Sequence, residues 1–171
     1  MSEFDIEEYM AGLEGLTIQE KVQELEDLCD ELEYACEDDA LEAVQDAMES
    51  LIDDYEKSVN DPLKASVSAL INQKHWEDLV TIKKILLDDY FIVNSKAYQI
   101  LISTYWNLDH WVIWIQVTPF IASNAKRSET YANLAEKLNL PYQQGENLIQ
   151  LNVEENELQP TVERIITTLC E

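Results

Sequence analysis

Glycine is nearly missing from this chain, with Gly12, Gly15 and Gly145 the only three in 171 residues. A phosphate loop, a dinucleotide fingerprint and a G-x-S-x-G nucleophile elbow all need glycines at fixed spacing, so none of the three is available. Glu37, Asp38, Asp39, Asp53 and Asp54 are dense carboxylates, but no glycine lies between Glu37 and Val59 to make the tight turn of a calcium loop. Glu-x-x-His pairs are absent too, since His75 follows Asn72 and His110 follows Asn107 at that spacing. No metal or cofactor is therefore expected. Cysteine is sparse: Cys29, Cys36 and Cys170 have no metal-type spacing, and an odd number fits a reducing compartment. Long apolar runs are missing as well. The longest uncharged stretch, Trp111 to Ala125, is broken by Gln116, Thr118 and Pro119 and is too short to span a bilayer. The opening MSEFDIEEYM has neither the basic nor the apolar region of a secretory signal, so a cytoplasmic location is the default and no membrane partner is expected.

The scarcest commodity is positive charge, with 11 basic residues against 35 acidic ones and a formal net charge of −24. The imbalance is concentrated. Residues 1–60 hold 21 of the acids and only Lys21 and Lys57 among the bases. Such a segment repels a phosphate backbone and attracts cations or basic proteins, so no direct nucleic-acid binding is expected.

Apolar residues make up 46% of the chain, enough for a buried core in one domain or two small ones. Phe4, Ile6, Tyr9 and Met10 suggest a short helix ending near Gly12 and Gly15. Thr17 with Glu20 three residues on is a capping-box pattern. It precedes Ile18, Val22, Leu25, Cys29, Leu32 and Cys36, a heptad seam. After Glu37-Asp38-Asp39, a second seam runs through Leu41, Val44, Met48, Leu51, Tyr55 and Val59. So short a break predicts an antiparallel helical hairpin with acidic outer faces. Asp61-Pro62 reads as a fresh helix start carrying Leu63, Val67, Leu70 and Ile71. A further helix is expected over Trp76, Leu79, Val80, Ile82, Ile85 and Leu86.

From Tyr90 the texture turns β-branched and aromatic. Tyr90 to Val93, Tyr98 to Trp106 and Trp111 to Thr118 are predicted strands, the last two joined by the turn Asn107-Leu108-Asp109-His110. Arg127 to Leu138 reads as helix, Asn147 to Val153 as extended, and Glu157 to Cys170 as helix capped by Asn156. The expected fold class is α+β, with an N-terminal acidic antiparallel helical hairpin over residues 1–60. A body over residues 61–171 holds a small, mainly antiparallel sheet of about four strands packed with helices, as a separate unit or continuous with the hairpin. In architecture alone this order is similar to small acidic proteins such as type III secretion chaperones.

Catalysis finds no foothold in these residues. His75 beside Trp76 and His110 beside Asp109 are the candidate bases, and no nucleophile with an orienting group accompanies either; a hydrolase built on Asp109 and His110 would need a cleft around them. The chain reads as a non-enzyme. Among the aromatics Tyr98, Tyr105, Trp106, Trp111, Trp114 and Phe120, alternation puts Trp111, Ile113, Ile115 and Val117 on the core face of a strand and Trp114 on the other. Tyr105 and Trp114 then either pack the sheet or form an aromatic anchor for a partner.

The acidic hairpin offers the sharper signal. Residues 18–57 hold 16 acids and two bases, and along helices roughly 30 Å long this is about one net negative charge per 2 Å. Duplex DNA carries about one per 1.7 Å. The expected function is a non-enzymatic inhibitor or antagonist, of nucleic-acid-mimic or immunity-protein type, that occludes a basic surface on a nucleic-acid-handling enzyme or toxin. Glu24, Asp27, Glu31, Asp46, Glu49 and Asp53 are its candidate contact residues, with Tyr105 and Trp114 on the body. The alternative is a secretion- or assembly-type chaperone or adaptor that acts as a homodimer and holds a client on apolar surface.

Overall fold

The structure is a computed structural model that describes residues 4–119 and 123–171; Phe120 lies outside them. It contains α1 (Ile6–Ala11), α2 (Ile18–Tyr34), α3 (Asp38–Lys74), β1 (Val80–Ile85), β2 (Asp88–Asn94) and β3 (Gln99–Trp106), then β4 (Trp111–Thr118), α4 (Asn124–Leu138), β5 (Ile149–Val153) and α5 (Glu155–Cys170). The chain divides into two compact units, Met1–Asn60 and Asp61–Glu171.

The first unit is all helical. Asp5 caps α1 by accepting from the backbone N–H of Glu7 and Glu8. At α2 the capping box forms as expected: Thr17 Oγ1 accepts from Glu20 N–H at 3.2 Å, and Glu20 Oε2 accepts from Thr17 N–H at 2.8 Å. The same helix ends in a Schellman motif, with Glu37 N–H reaching Leu32 O and Cys36 N–H reaching Glu33 O. Cys36 occupies the left-handed position at φ 58°, which glycine usually fills, and is exposed. It therefore turns the chain instead of extending the seam, a correction to the heptad reading. Leu13, Leu25 and Val44 form the buried centre, with Ile6, Tyr9, Met10, Leu28, Cys29, Leu32, Met48 and Leu51 packed around it. Each such fully buried leucine contributes roughly 1.5–3 kcal/mol.

No new helix begins at Asp61-Pro62, because α3 runs through it for 37 residues. Proline removes one backbone donor and its ring crowds the carbonyl four residues back, at Ser58, which costs about 3 kcal/mol in a helix interior. Burial of Leu63, Val67 and Ile71 on the turns that follow offsets that cost. At the end of α3 His75, at φ 58°, repeats the Schellman turn, with Trp76 N–H bonded to Ile71 O.

The second unit is a five-stranded sheet in the order β1-β2-β3-β4-β5, with every neighbouring pair antiparallel. The fifth strand is β1, where a helix was expected over Trp76 to Leu86. Strand spacing joins Val80 with Ile82, whereas helical spacing joins Ile82 with Ile85, so this short run points both ways. Alternation decides: Val80 is buried and Ile82 half-buried, while Thr81 and Lys83 are exposed. The remaining strands lie close to their predicted spans, and β4 matches Trp111 to Thr118 at both ends.

Trp106, Trp111, Ile113, Ile115, Ile149 and Val153 form the buried face of the sheet, and Leu158, Val162, Ile165 and Ile166 bury the facing side of α5. Contacts of α5 with β2 and β4 fix it there. Ser66 on α3 donates a hydrogen bond to Glu163 on α5 and accepts one from Gln159. Lys64 bridges Asp61 and Asp89 at 3.5 and 3.1 Å, and its hydrogen bond to Asp89 leads the causes that push the ammonium pKa up. Helix α5 starts two residues before the span read from sequence. Asn156 lies inside its first turn, and the capping position falls on Glu154, which makes no side-chain cap bond.

Candidate interaction surfaces

Within the first unit, Glu24, Asp27 and Glu31 sit on α2 and Asp46, Glu49 and Asp53 on α3, all exposed. Each trio is spaced i, i+3, i+7, which places three carboxylates in one stripe over about 10 Å of helix axis. They stand opposite Leu25 and Val44, which are fully buried. Among the described residues none of the six takes part in an ion pair, the nearest engagement being a hydrogen bond from Gln23 Nε2 to Asp27 Oδ1 at 2.9 Å. Their field reaches inward. Burial pushes the Tyr9 phenol up, and Glu24, Glu31 and Asp27 push it further; its hydroxyl donates to Glu24 O at 3.4 Å. Burial likewise raises the Cys29 thiol, with Asp30, Glu26 and Glu33 adding to it.

The second surface lies on the body. Strand pairing sets Ser103 opposite Trp114 and Trp114 opposite Gln150. Leu101, Ser103, Tyr105, Trp114 and Gln116 are half-buried, and Gln150 and Asn152 are exposed. Tyr105 and Trp114 meet edge-to-face with ring centroids 4.8 Å apart, and Trp114 Nε1 donates to Gln150 Oε1 at 3.4 Å. The structure therefore brings the two aromatic candidates together as a partly exposed pair on the face opposite Trp111.

Asp109 and His110 are held by their own hairpin turn. Asn107 Oδ1 accepts from both backbone N–H groups, Asn107 Nδ2 lies 3.0 Å from His110 Nε2, and Asp109 Oδ2 lies 3.5 Å from His110 Nδ1. Both ring nitrogens are thus engaged locally, and neither residue lines a described cavity. Among the described residues there is no group of three or more His, Cys, Asp or Glu that could hold a metal ion, and no helix long and apolar enough to cross a membrane.

Two features escaped the sequence. Leu86 and Leu87, at the β1–β2 turn, are 93% and 89% exposed, and a reading that placed Leu86 on a helix hid that tip. Two cavities also flank β4 and β5: an open one of about 950 Å³ under the Tyr142 to Asn147 loop, and one of about 340 Å³ that includes Arg127 and Tyr131. Both depend on how distant strands and a loop meet, which periodicity cannot signal.

Comparison with known protein families, curated proteins and solved structures finds no match.

Proposed function

We propose that the protein is a non-enzymatic acidic binding protein that occludes a basic surface on another protein, as an inhibitor or antagonist of nucleic-acid-mimic or immunity type. The observation that carries this reading is the pair of exposed carboxylate stripes, Glu24-Asp27-Glu31 and Asp46-Glu49-Asp53, which no lysine or arginine in the described residues neutralises. Solubility alone does not call for such one-sidedness, because like charges at i, i+4 destabilise a helix by roughly 0.2–0.5 kcal/mol per pair. A field of one sign steers a cationic partner and raises its association rate by about 10 to 10³.

The test begins with affinity capture from the native cell at low and at physiological salt. Stopped-flow association of the captured partner follows, using the parent and a variant with all six carboxylates changed to amides. Association of the parent should slow steeply with salt, and the six-fold variant should be slow already at low salt. If the variant associates as fast as the parent, the stripes are solvated surface only.

The Tyr105–Trp114 pair and the exposed Leu86-Leu87 tip favour a second reading, a chaperone or adaptor that acts as a homodimer and holds a client on apolar surface. Client capture of that kind would hardly change between the two salt conditions, and sedimentation would report the dimer.

A further inference from the structure

Strand β5 ends the sheet on one side, and among the described residues its outer edge meets no further strand. In an antiparallel ladder the N–H and C=O of one residue point to the same side, and those of the next residue to the other. Val117 N–H donates to the Tyr131 hydroxyl oxygen at 2.9 Å instead of to β3, so the odd-numbered residues of β4 turn their backbone groups toward β5. The hairpin bond from Asn107 N–H to His110 O at 3.0 Å sets the same alternation. Trp111, Ile113 and Ile115 pair with Val153, Leu151 and Ile149, which therefore direct their backbone groups to β4. Gln150 and Asn152 are left with N–H and C=O groups on the outer edge, and no backbone partner for them occurs among the described residues. The open cavity of about 950 Å³ is lined by Gln150, Leu151 and Asn152 together with the loop from Pro141 to Leu148. Successive side chains of a strand point to opposite faces, so a cavity that touches all three lies along the edge. Tyr142 fixes the loop: its hydroxyl donates to Glu146 O at 2.8 Å, and its ring stacks on buried Tyr131 with centroids 5.6 Å apart. At the other end of the sheet β1 carries exposed Lys83 and Lys84, which discourage strand addition, whereas β5 has no charged residue.

We infer that an extended, basic segment of a partner protein adds antiparallel to β5 as a sixth strand. Its main chain takes up the N–H and C=O groups of Gln150 and Asn152, which supply affinity, and its alternate side chains supply specificity. A residue opposite Leu151 shares that half-buried side chain's face and is apolar; residues opposite Gln150 and Asn152 share their exposed face and are polar or basic. At about 3.4 Å per residue β5 spans about 17 Å, room for a segment of about five residues. Charge selects the occupant: Glu146 is the sole charged residue among those lining the cavity, and the chain carries a net charge of −24. A second copy of β5 would bring the same net charge and a second Pro141 to Leu148 loop to the same edge, so a basic segment of another protein fits better. This edge makes no use of the acidic stripes and stands apart from the antagonist reading.

The experiment titrates the full chain, labelled with nitrogen-15, with the capped pentapeptide acetyl-Val-Lys-Val-Lys-Val-amide at an ionic strength of about 0.15 M, where attraction to the distant acidic helices is screened. The amide signals of Gln150, Leu151 and Asn152 should shift saturably, with a Kd on the order of 1 mM for so short a segment. In the free protein the Gln150 and Asn152 amides should exchange with solvent faster than those of Ile149, Leu151 and Val153, and peptide at about ten times its Kd should slow them about 10-fold. N-methylation of both lysine amides, which face β5, should weaken binding about 10-fold or more, while methylation of the central valine amide, which points away, should cost far less. Glutamate in place of both lysines should also weaken binding about 10-fold or more. Asn152→Pro removes an outward N–H at an edge position, where proline is tolerated, and should do the same. If Asn152→Pro fails to fold by circular dichroism, the methylated peptides on the parent protein carry the comparison. The inference is overturned by any of five results. These are no saturation below about 20 mM, lysine methylation costing no more than valine methylation, or equal binding of the glutamate peptide. The other two are unchanged affinity in a folded Asn152→Pro variant, and a parent dimer in sedimentation that this variant dissociates, which would give the edge to a second copy.

Discussion

Adding salt should stabilise the first unit, and the size of the effect follows from its helices. On α2 the like-charged i, i+4 pairs are Glu20/Glu24, Glu26/Asp30 and Asp27/Glu31; on α3 they include Asp38/Glu42, Glu42/Asp46 and Glu49/Asp53. At roughly 0.2–0.5 kcal/mol each, these six pairs cost about 1–3 kcal/mol at low ionic strength. Raising salt from about 0.01 to 0.15 M shortens the Debye length from about 30 to 8 Å. Neighbouring side chains start about 5–6 Å apart, so screening removes only part of the repulsion, and a gain of about 1 kcal/mol is expected. For a helical unit of this size that is a rise of about 4–8 °C in melting temperature. The assay is thermal melting by circular dichroism at 222 nm in one buffer with two NaCl concentrations, repeated with KCl to separate screening from cation-specific binding. The variant with amides at Glu24, Asp27, Glu31, Asp46, Glu49 and Asp53 should lose most of the response. A parent melting temperature that is flat or falls with salt would refute the electrostatic account of this hairpin.

Four further outcomes are expected. Leu25→Asp places an unpaired charge at a fully buried position and should unfold the first unit, seen as lost ellipticity, while Glu24→Gln should be silent. Cys36→Gly should stabilise by about 1 kcal/mol in urea melts, because Cys36 holds a left-handed conformation at φ 58° that costs a non-glycine residue roughly 1–2 kcal/mol; a loss of stability would mean that the thiol contributes more than its strain. Tyr9 is neutral below its ordinary pKa of 10.0 and has a higher pKa when folded, so its contribution is intact below that value and is lost as pH rises through the folded pKa. Melting temperature should therefore fall more steeply in alkali for the parent than for Tyr9→Phe, and parallel curves would contradict that. Iodoacetamide near neutral pH should modify exposed Cys36 before Cys29 and Cys170, whose thiols burial pushes up, and mass spectrometry of time points would give the order.

Local chemistry made much of the fold legible. Thr17 and Glu20 announced α2 because a capping box is satisfied within four residues, and β4 was read to the residue because Trp111 to Thr118 is a β-branched and aromatic run bounded by the Asn107–His110 turn and by Pro119. Errors fell where one local pattern serves two structures. Asp61-Pro62 opens a helix in isolation, but burial of Leu63 and Val67 carries α3 past it. Val80 and Ile82 share a strand face while Ile82 and Ile85 share a helix face, and only pairing of β1 with β2 settles the choice. At the candidate surfaces, exposure of the carboxylates followed from the seams, since Leu25 and Val44 fix which sides of α2 and α3 are buried. Contact between Tyr105 and Trp114 depends on the β3–β4 register, and the Arg127 cavity on the approach of α4 to β4; both are long-range outcomes that no window of sequence contains.

Three helices in this chain, α2, α3 and α4, turn out of their last residue on a non-glycine at positive φ, namely Cys36, His75 and Asn139. Leu86 and Leu108 do the same in the two hairpin turns that join β1 to β2 and β3 to β4. Glycine at such positions would also be free to visit many other backbone states before folding, whereas a residue with a Cβ arrives at each turn with fewer alternatives. The chain thus exchanges native-state comfort for a less diverse denatured ensemble at five separate corners. A directed-evolution campaign for thermal tolerance should find these corners early.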